Sequence, residues 1–285
     1  MTVETHARNA EQAKAWNGAM GQRWAERQAF MDQLLAPVAD ALFDEVAPQS
    51  GMRVLDIGCG SGETTFRLAR AVGADGQVLG LDISAPLLAR ARERTPPGAP
   101  VRFVEGDATV YPFEPKAVDL LFSRFGVMFF AEPTMAFANM RKGLGSGARV
   151  CFACWREARI NQWLTVPMGA VRSLIQQEAP ADPEAPGPYS FADDRRVLRI
   201  LSEAGFDRIV VRPVDLQIDC AAGGGVEAAV ESALEIGPVS RALANSPDEV
   251  RQAAAEALRT AIVPFQKDGR VMLGAAIWLV TATNP

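Results

Sequence analysis

The 285-residue chain holds a single histidine, two tyrosines and four cysteines, and each scarcity narrows the chemistry open to it. With only His6, in what reads as a loosely held terminus, a histidine general base is a poor expectation. Four cysteines in a chain without an apolar export signal are expected to stay reduced. Cys151 and Cys154 have metal or redox spacing, but they fall in an expected strand, Arg149 to Trp155, where residues three apart point to opposite faces. Cys59, Cys220 and His6 are scattered, so no metal site is expected.

Excess basic charge is missing as well. Twenty-nine Lys and Arg against 34 Asp and Glu give a net charge of -5 and a pI of about 5.2, which argues against a general nucleic-acid or anionic-membrane partner. Arg90, Arg92 and Arg94 do not form a basic face, because offsets of two do not share one side of a helix. The longest apolar run, Val271 to Ala282, is too short and interrupted to cross a bilayer, so a cytoplasmic protein without membrane insertion is expected. Repeats and low-complexity segments are absent, and the length allows one large domain or two.

What is present is concentrated between Arg53 and Thr65. Val54, Leu55 and Ile57 read as a buried strand, and Gly58, Gly60 and Gly62 follow at alternate positions before a helix opens at Gly62 or Glu63. Such glycines let a backbone turn sharply and approach a ligand without an intervening Cβ, and the helix start offers free N–H groups to an anion. A dinucleotide fingerprint, G-x-G-x-x-G/A, would need a small residue where Glu63 stands, and that carboxylate would face the pyrophosphate. A ligand carrying an amino acid suits the loop better: the backbone can take its carboxylate while Asp56 attracts its ammonium, directly or through water.

The string V-L-D-I-G-C-G-S-G resembles motif I of the class I S-adenosylmethionine-dependent methyltransferases. The resemblance is strong over roughly residues 50 to 155 and extends to the ubiquinone- and menaquinone-type small-molecule enzymes. It implies S-adenosylmethionine as cofactor, held around Asp56, Gly58, Cys59, Gly60 and Gly62. The strand Val78 to Leu81 ends at Asp82, twenty residues past Gly62, where the resemblance implies an acid on the ribose hydroxyls, with Ile83 beside it. After the strand Val101 to Val104, Gly106, Asp107 and Ala108 resemble an adenine site, with the Asp107 carboxylate accepting from the exocyclic amine. A fourth strand, Val118 to Phe122, ends at Ser123-Arg124-Phe125, where such enzymes bring the methyl to its acceptor. Trp16 and Trp24 have two readings, a cover over the methionine part or a core pair on one amphipathic helix.

The expected architecture is α/β: a Rossmann-like, seven-stranded, mostly parallel sheet with helices on both faces, its last strand antiparallel, and a helical cap. Residues 1–50 form an N-terminal helical cover, 51–155 the cofactor-binding core, 156–192 a lid rich in proline, 193–222 with 269–285 the rest of the sheet, and 223–268 a helical insert. Helices Thr64 to Val72, Pro86 to Arg94 and Thr134 to Leu144 join the strands, the last ended by Gly143, Gly145 and Gly147. Phe191 to Gly205 reads as a helix capped by Asp193, with Val197, Leu198 and Leu201 inward; Ser246 to Glu249 reads as a capping box ahead of Val250, Ala254, Leu258 and Ile262.

Phe125, Met128, Phe129, Trp155 and Trp163 make the acceptor pocket greasy or aromatic. Arg124 and Tyr189 are the candidates for orienting an acceptor, and no catalytic base is evident. The expected function is therefore in-line methyl transfer to oxygen, carbon or nitrogen of a small, partly apolar molecule. An NAD(P)-dependent oxidoreductase and a non-catalytic cofactor-binding protein are the alternatives.

Overall fold

A computed structural model describes residues 4–176 and 182–285. Pro180, one of the prolines of the expected lid, lies outside them. Four helices come first, α1 (Ala10–Asn17), α2 (Ala19–Glu26), α3 (Gln28–Leu34) and α4 (Ala36–Val46). The alternating core follows as β1 (Arg53–Ile57), α5 (Glu63–Val72), β2 (Gln77–Asp82), α6 (Ala85–Glu93), β3 (Val101–Glu105), β4 (Val118–Arg124), α7 (Pro133–Gly143) and β5 (Leu144–Trp155). The remainder comprises α8 (Gln162–Val171), α9 (Asp194–Glu203), β6 (Asp207–Asp219), α10 (Gly225–Glu235), α11 (Pro238–Ala242), α12 (Asp248–Ile262), β7 (Gln266–Lys267) and β8 (Arg270–Thr283).

Seven strands run in the order β3-β2-β1-β4-β5-β8-β6. The first five pair in parallel, and β8 is antiparallel to both its neighbours, as expected of the last strand. An eighth, two-residue strand, β7, was not expected: Asp268 and Gly269 have φ of 50° and 76°, which turns the chain back into β8 as a tight hairpin. Gly145 and Gly147 do not end α7 but lie inside β5, beside a register shift between Val118 and Leu120 on its partner strand.

Strand parity fixes which helices cover which face. Phe122 pairs with Cys151 and Ser123 with Phe152, so Phe122 and Phe152 leave the sheet on opposite sides. Phe43 of α4 meets Phe122 with ring centroids 5.4 Å apart, and Phe137 of α7 meets Phe152 at 5.5 Å. Arg67 ties α5 to the α4 face, its guanidinium 4.3 Å from the Phe43 ring and 2.9 Å from Asp40. The same parity sends the thiols of Cys151 and Cys154 to opposite faces, and Cys154 turns towards the Phe191 carbonyl.

The N-terminal helices are more than a cover. Val38, Ala39, Leu42 and Val46 of α4 are buried against the sheet, and burial of each large side chain there contributes about 1.5–3 kcal/mol. Trp16 and Trp24 sit on separate helices, because the chain becomes extended at Gly18. A second apolar cluster joins Val171 of α8 with Val226, Val230, Leu243, Leu258, Ile262 and Leu273, so α8 and the insert α10–α12 share one core.

Two end signals read differently in three dimensions. Asp193 caps α9 by accepting from Arg195 N–H, but Leu198 is exposed and Ile200 is buried in its place. The capping box at Ser246 does not form: α12 starts after Pro247 with no side-chain cap, while Ala254, Leu258 and Ile262 face inward. Ser84 precedes α6, yet its hydroxyl donates to the Trp16 carbonyl at 2.7 Å instead of capping the helix.

Candidate active site

The strand order reverses direction at β1, with β2 on one side and β4 on the other, and ligands in such sheets bind beyond the carboxyl ends at that point. A cavity of about 590 Å³ lies there. Its sheet-side wall is the loop after β1, from Ile57 to Ser61, with Asp82 and Ile83 after β2, Gly106 to Ala108 after β3, and Arg124 to Gly126 after β4.

Each loop glycine has a separate reason to be glycine. Gly58, Gly60 and Gly62 have φ of 64°, 54° and 87°. A Cβ at Gly58 would stand 2.5 Å from the Gly126 Cα, so the β1 and β4 loops touch backbone to backbone. A Cβ at Gly62 would meet the Phe103 and Phe66 rings at 2.9 Å. At Gly60 a Cβ would meet nothing within 4 Å: it would project into open space at the cavity wall, the room a ligand needs.

The acids divide by burial. Asp82 stands at the cavity wall, its Oδ2 accepting Gly60 N–H at 2.8 Å and its Oδ1 accepting Ser84 N–H at 2.9 Å, so it braces the glycine loop. Loss of water raises its pKa, and those N–H groups oppose the rise. Asp56 is fully buried behind the loop, outside the cavity lining. Its Oδ2 accepts from the hydroxyls of Thr64 and Thr65 at 2.8 and 2.6 Å and holds the first turn of α5, while Oδ1 has no partner among the described residues. Burial pushes its pKa up to about 6. Asp107 lines the wall too, but its carboxylate is occupied by the N-terminal segment: His6 N–H, Asn9 Nδ2 and Thr109 N–H all donate to it. His6 is therefore a held residue in this structure.

Ser123 is also outside the lining. Its hydroxyl is buried, donating to the Ile57 carbonyl at 2.7 Å and accepting Gly126 N–H at 3.1 Å, which locks the ends of β1 and β4 together. Arg124 and Glu63, both lining the cavity, pair at 2.9 Å. Cys59 lines it with a thiol raised well above its ordinary pKa by burial, an inert group.

From Phe125 onward the wall is aromatic and apolar. Phe125 has φ of 72°, a left-handed conformation that costs a non-glycine residue about 1–2 kcal/mol. It stacks on Trp155 at 4.2 Å, and Trp155 meets Trp163 at 4.9 Å. Trp16 stands edge-on to Trp24 at 5.7 Å and to Phe129 at 5.2 Å. All of these, with Met128, line the cavity. Tyr189 lines it too; its buried hydroxyl has no partner among the described residues, and burial raises its pKa.

Tyr189 belongs to a braced loop. Gly187 N–H and the Ser190 hydroxyl both donate to the Met128 carbonyl, at 3.1 and 2.5 Å, and buried Arg196 donates to the carbonyls of Ser190 and, at 3.1 Å, Glu184. Sequence reasoning missed the far wall contributed by Ile236, Val239 and Arg241 around α11, and Arg23 and Gln28 from the N-terminal helices. No motif marks them; only the amphipathic stripes of their helices do.

Residues 54–147 match a family model described as methyltransferase domain. The demethylmenaquinone methyltransferase of Staphylococcus aureus is 34% identical over 106 residues, 37% of this chain and 44% of that protein, so the match spans less than half the length of the curated relative. Among solved structures, the phosphoethanolamine N-methyltransferase 2 of Haemonchus contortus in complex with S-adenosyl-L-methionine shares the fold with a TM-score of 0.58 at 18% identity, over 99% of this chain and 60% of that one. The cyclase SpnF shares it with a TM-score of 0.51 at 20% identity, over 87% and 80%. Sequence match, strand order and glycine loop agree: residues 54–147 are similar to a methyltransferase domain, and the fold is that of the methyltransferase structures above.

Proposed function

We propose that the protein transfers a methyl group from S-adenosylmethionine to a small, partly apolar acceptor enclosed between the strand ends and the helical cap. The observation that carries this reading is the opening at Gly60, where the wall leaves room beside an acid that braces it, Asp82, at the reversal point of the sheet. The Gly58–Gly62 backbone and the N-terminus of α5 receive the amino-acid end of the cofactor. Asp82 takes the ribose hydroxyls, and the Gly106–Ala108 backbone addresses the adenine.

When bound, S-adenosylmethionine supplies a methyl group already activated on a sulfonium. The chain's task is then alignment, which can lower a barrier by about 7–11 kcal/mol in favourable intramolecular cases. Phe125, Trp155 and Trp163 give a flat apolar surface for the acceptor, with Met128 and Phe129 beside it, and the cap excludes water. Oxygen, carbon and nitrogen acceptors all fit this scheme. A nicotinamide dinucleotide fits less well, because Glu63 puts a carboxylate at the start of α5, where a pyrophosphate would sit.

Calorimetry with S-adenosylhomocysteine and transfer of labelled methyl to a metabolite panel test the reading. Asp82→Ala should weaken cofactor binding by about 1.5–3 kcal/mol, the scale of a hydrogen bond to a charged group. Unchanged affinity, or stabilisation of the fold by NADH in place of S-adenosylmethionine, would count against it.

A further inference from the structure

Three pieces of chain meet around the aromatic end of the cavity. Phe125, Trp155 and Trp163 lie in series, with ring centroids 4.2 and 4.9 Å apart. The loop of Tyr189 is pinned to the Met128 carbonyl by Gly187 N–H and the Ser190 hydroxyl, and the Met128 sulfur accepts Trp155 N–H at 3.4 Å, so Tyr189 stands beside that series. Helix α11 packs against α8, the helix of Trp163, and brings Arg241 to the lining.

Two polar groups at this end have no partner among the described residues. The Tyr189 hydroxyl is buried without a hydrogen bond, although buried phenols usually find one, and an exception in a cavity wall is what a ligand explains. Arg241 is exposed at the lining and makes no ion pair among the described residues. Its neighbours in the wall are already matched: Glu235, the carboxylate that α10–α12 bring to the lining, is taken by Arg27 at 2.9 Å, and Arg124 by Glu63 at 2.9 Å. Arg23 also lacks an acid partner among the described residues, but it belongs to α2, which packs on α6 after β2, at the cofactor end. Arg241 is the charged residue whose field bears on the Tyr189 hydroxyl, where it opposes the rise in pKa that burial causes.

A guanidinium only donates and a phenol can donate, so the pair calls for an acceptor of hydrogen bonds, and the fixed positive charge calls for an anion. A single cation in an apolar cavity balances one negative charge and leaves a phosphate dianion underpaired. The planar guanidinium fork also matches the two oxygens of a carboxylate.

We propose that Tyr189 and Arg241 form an anion site at the acceptor end of the cavity, and that the acceptor is a flat, largely apolar carboxylic acid: its ring system lies on the Phe125–Trp155–Trp163 series and its carboxylate between the phenol and the guanidinium. The inference rests on the function proposed above and narrows its acceptor.

Calorimetric titration of 2-naphthoate and of its neutral counterpart, 2-naphthamide, tests this on the wild type, Tyr189→Phe, Arg241→Gln and Arg23→Gln, each with and without S-adenosylhomocysteine. The wild type should bind the acid about tenfold more tightly than the amide, the scale of a hydrogen bond to a charged group. Tyr189→Phe and Arg241→Gln should each lower affinity for the acid by about that factor and leave the amide and S-adenosylhomocysteine unchanged. Both should keep the wild-type melting temperature, because neither group loses a partner among the described residues. Arg23→Gln should keep the preference for the acid. The proposal is overturned if the wild type binds acid and amide alike or binds neither, if the preference survives both substitutions, or if Arg23→Gln alone removes it. A wild type that prefers the acid but does not bind S-adenosylhomocysteine would defeat the cofactor reading and leave the acid site standing.

Discussion

Where the β1 and β4 loops meet, the cavity wall is backbone, with the Gly58 loop against Gly126; from Phe125 across Trp155 at the end of β5 to Trp163 of α8 and the cap it is side chain, the three rings stacked in series and Tyr189 held on a braced loop. A wall of backbone is set by φ, ψ and strand register, so few substitutions leave it intact. A wall of side chains on separate segments can be changed one residue at a time. The sheet side is therefore suited to an invariant ligand, and the cap side to whatever acceptor the surrounding helices happen to fit.

The sharpest way to break this contrast is to put a methyl group on each glycine of the loop. Gly58→Ala combines a left-handed backbone with a clash at 2.5 Å and should cost about 3–5 kcal/mol of stability, read as the urea midpoint. Gly60→Ala carries the same kind of φ but no clash, so about 1–2 kcal/mol should be lost. Its main effect should be on cofactor affinity. Equal stabilities for the two variants would mean that the Gly58–Gly126 contact is not what closes the loop.

Asp56 sharpens the contrast from beneath the same loop. Its pKa is raised to about 6 in the fold, above its value in an unfolded chain, so the native state holds this proton more tightly. The stabilisation this gives is fully present below about pH 4 and is lost as pH rises towards 6, an effect on the order of 2–3 kcal/mol. Asp56→Asn should flatten that part of the stability profile and leave the variant at least as stable as the wild type at pH 7. A profile unchanged by the substitution would show that Asp56 ionises normally.

On the cap side, Arg196 braces the loop of Tyr189 through the carbonyls of Ser190 and Glu184. Arg196→Ala should cost about 1–3 kcal/mol and expose residues 184–189 to proteolysis, with cofactor affinity unchanged. Loss of cofactor binding in that variant would show that the two walls are coupled and not separately built.

The same division explains what was legible in the sequence. The five parallel strands, the glycine loop and the acids after β2 and β3 could be read because apolar runs ending in Gly and Asp leave a local trace. Local reading cannot see distant partners, so it does not show what else these side chains hold. Asp56 and Ser123 sit beside ligand-facing positions, but one holds two threonines and the other holds the Ile57 carbonyl. Asp107 accepts from His6 N–H and the Asn9 amide, about a hundred residues earlier in the chain. Ser246 lost its cap because Pro247 shifts the helix start by one residue. The cap cavity was legible only as greasy aromatics, since α11 and the 186–189 loop carry no motif.

The smallest expected effect lies where the N-terminal helices reach the insert. Arg27 pairs with Glu235 at 2.9 Å and lies 3.9 Å from Glu231, joining the residue between α2 and α3 to α10 across the cavity. All three side chains are partly open to water, where such pairs contribute about 0–1 kcal/mol. Arg27→Gln should therefore move the melting temperature little. If the pair nonetheless tethers the two halves of the roof, the variant should release bound S-adenosylhomocysteine faster in a stopped-flow chase, and more so at low salt, where the intact pair is strongest. Equal release rates for variant and wild type would leave the roof held by its apolar contacts alone, with Trp16, Trp24 and Phe129 as the residues to change next.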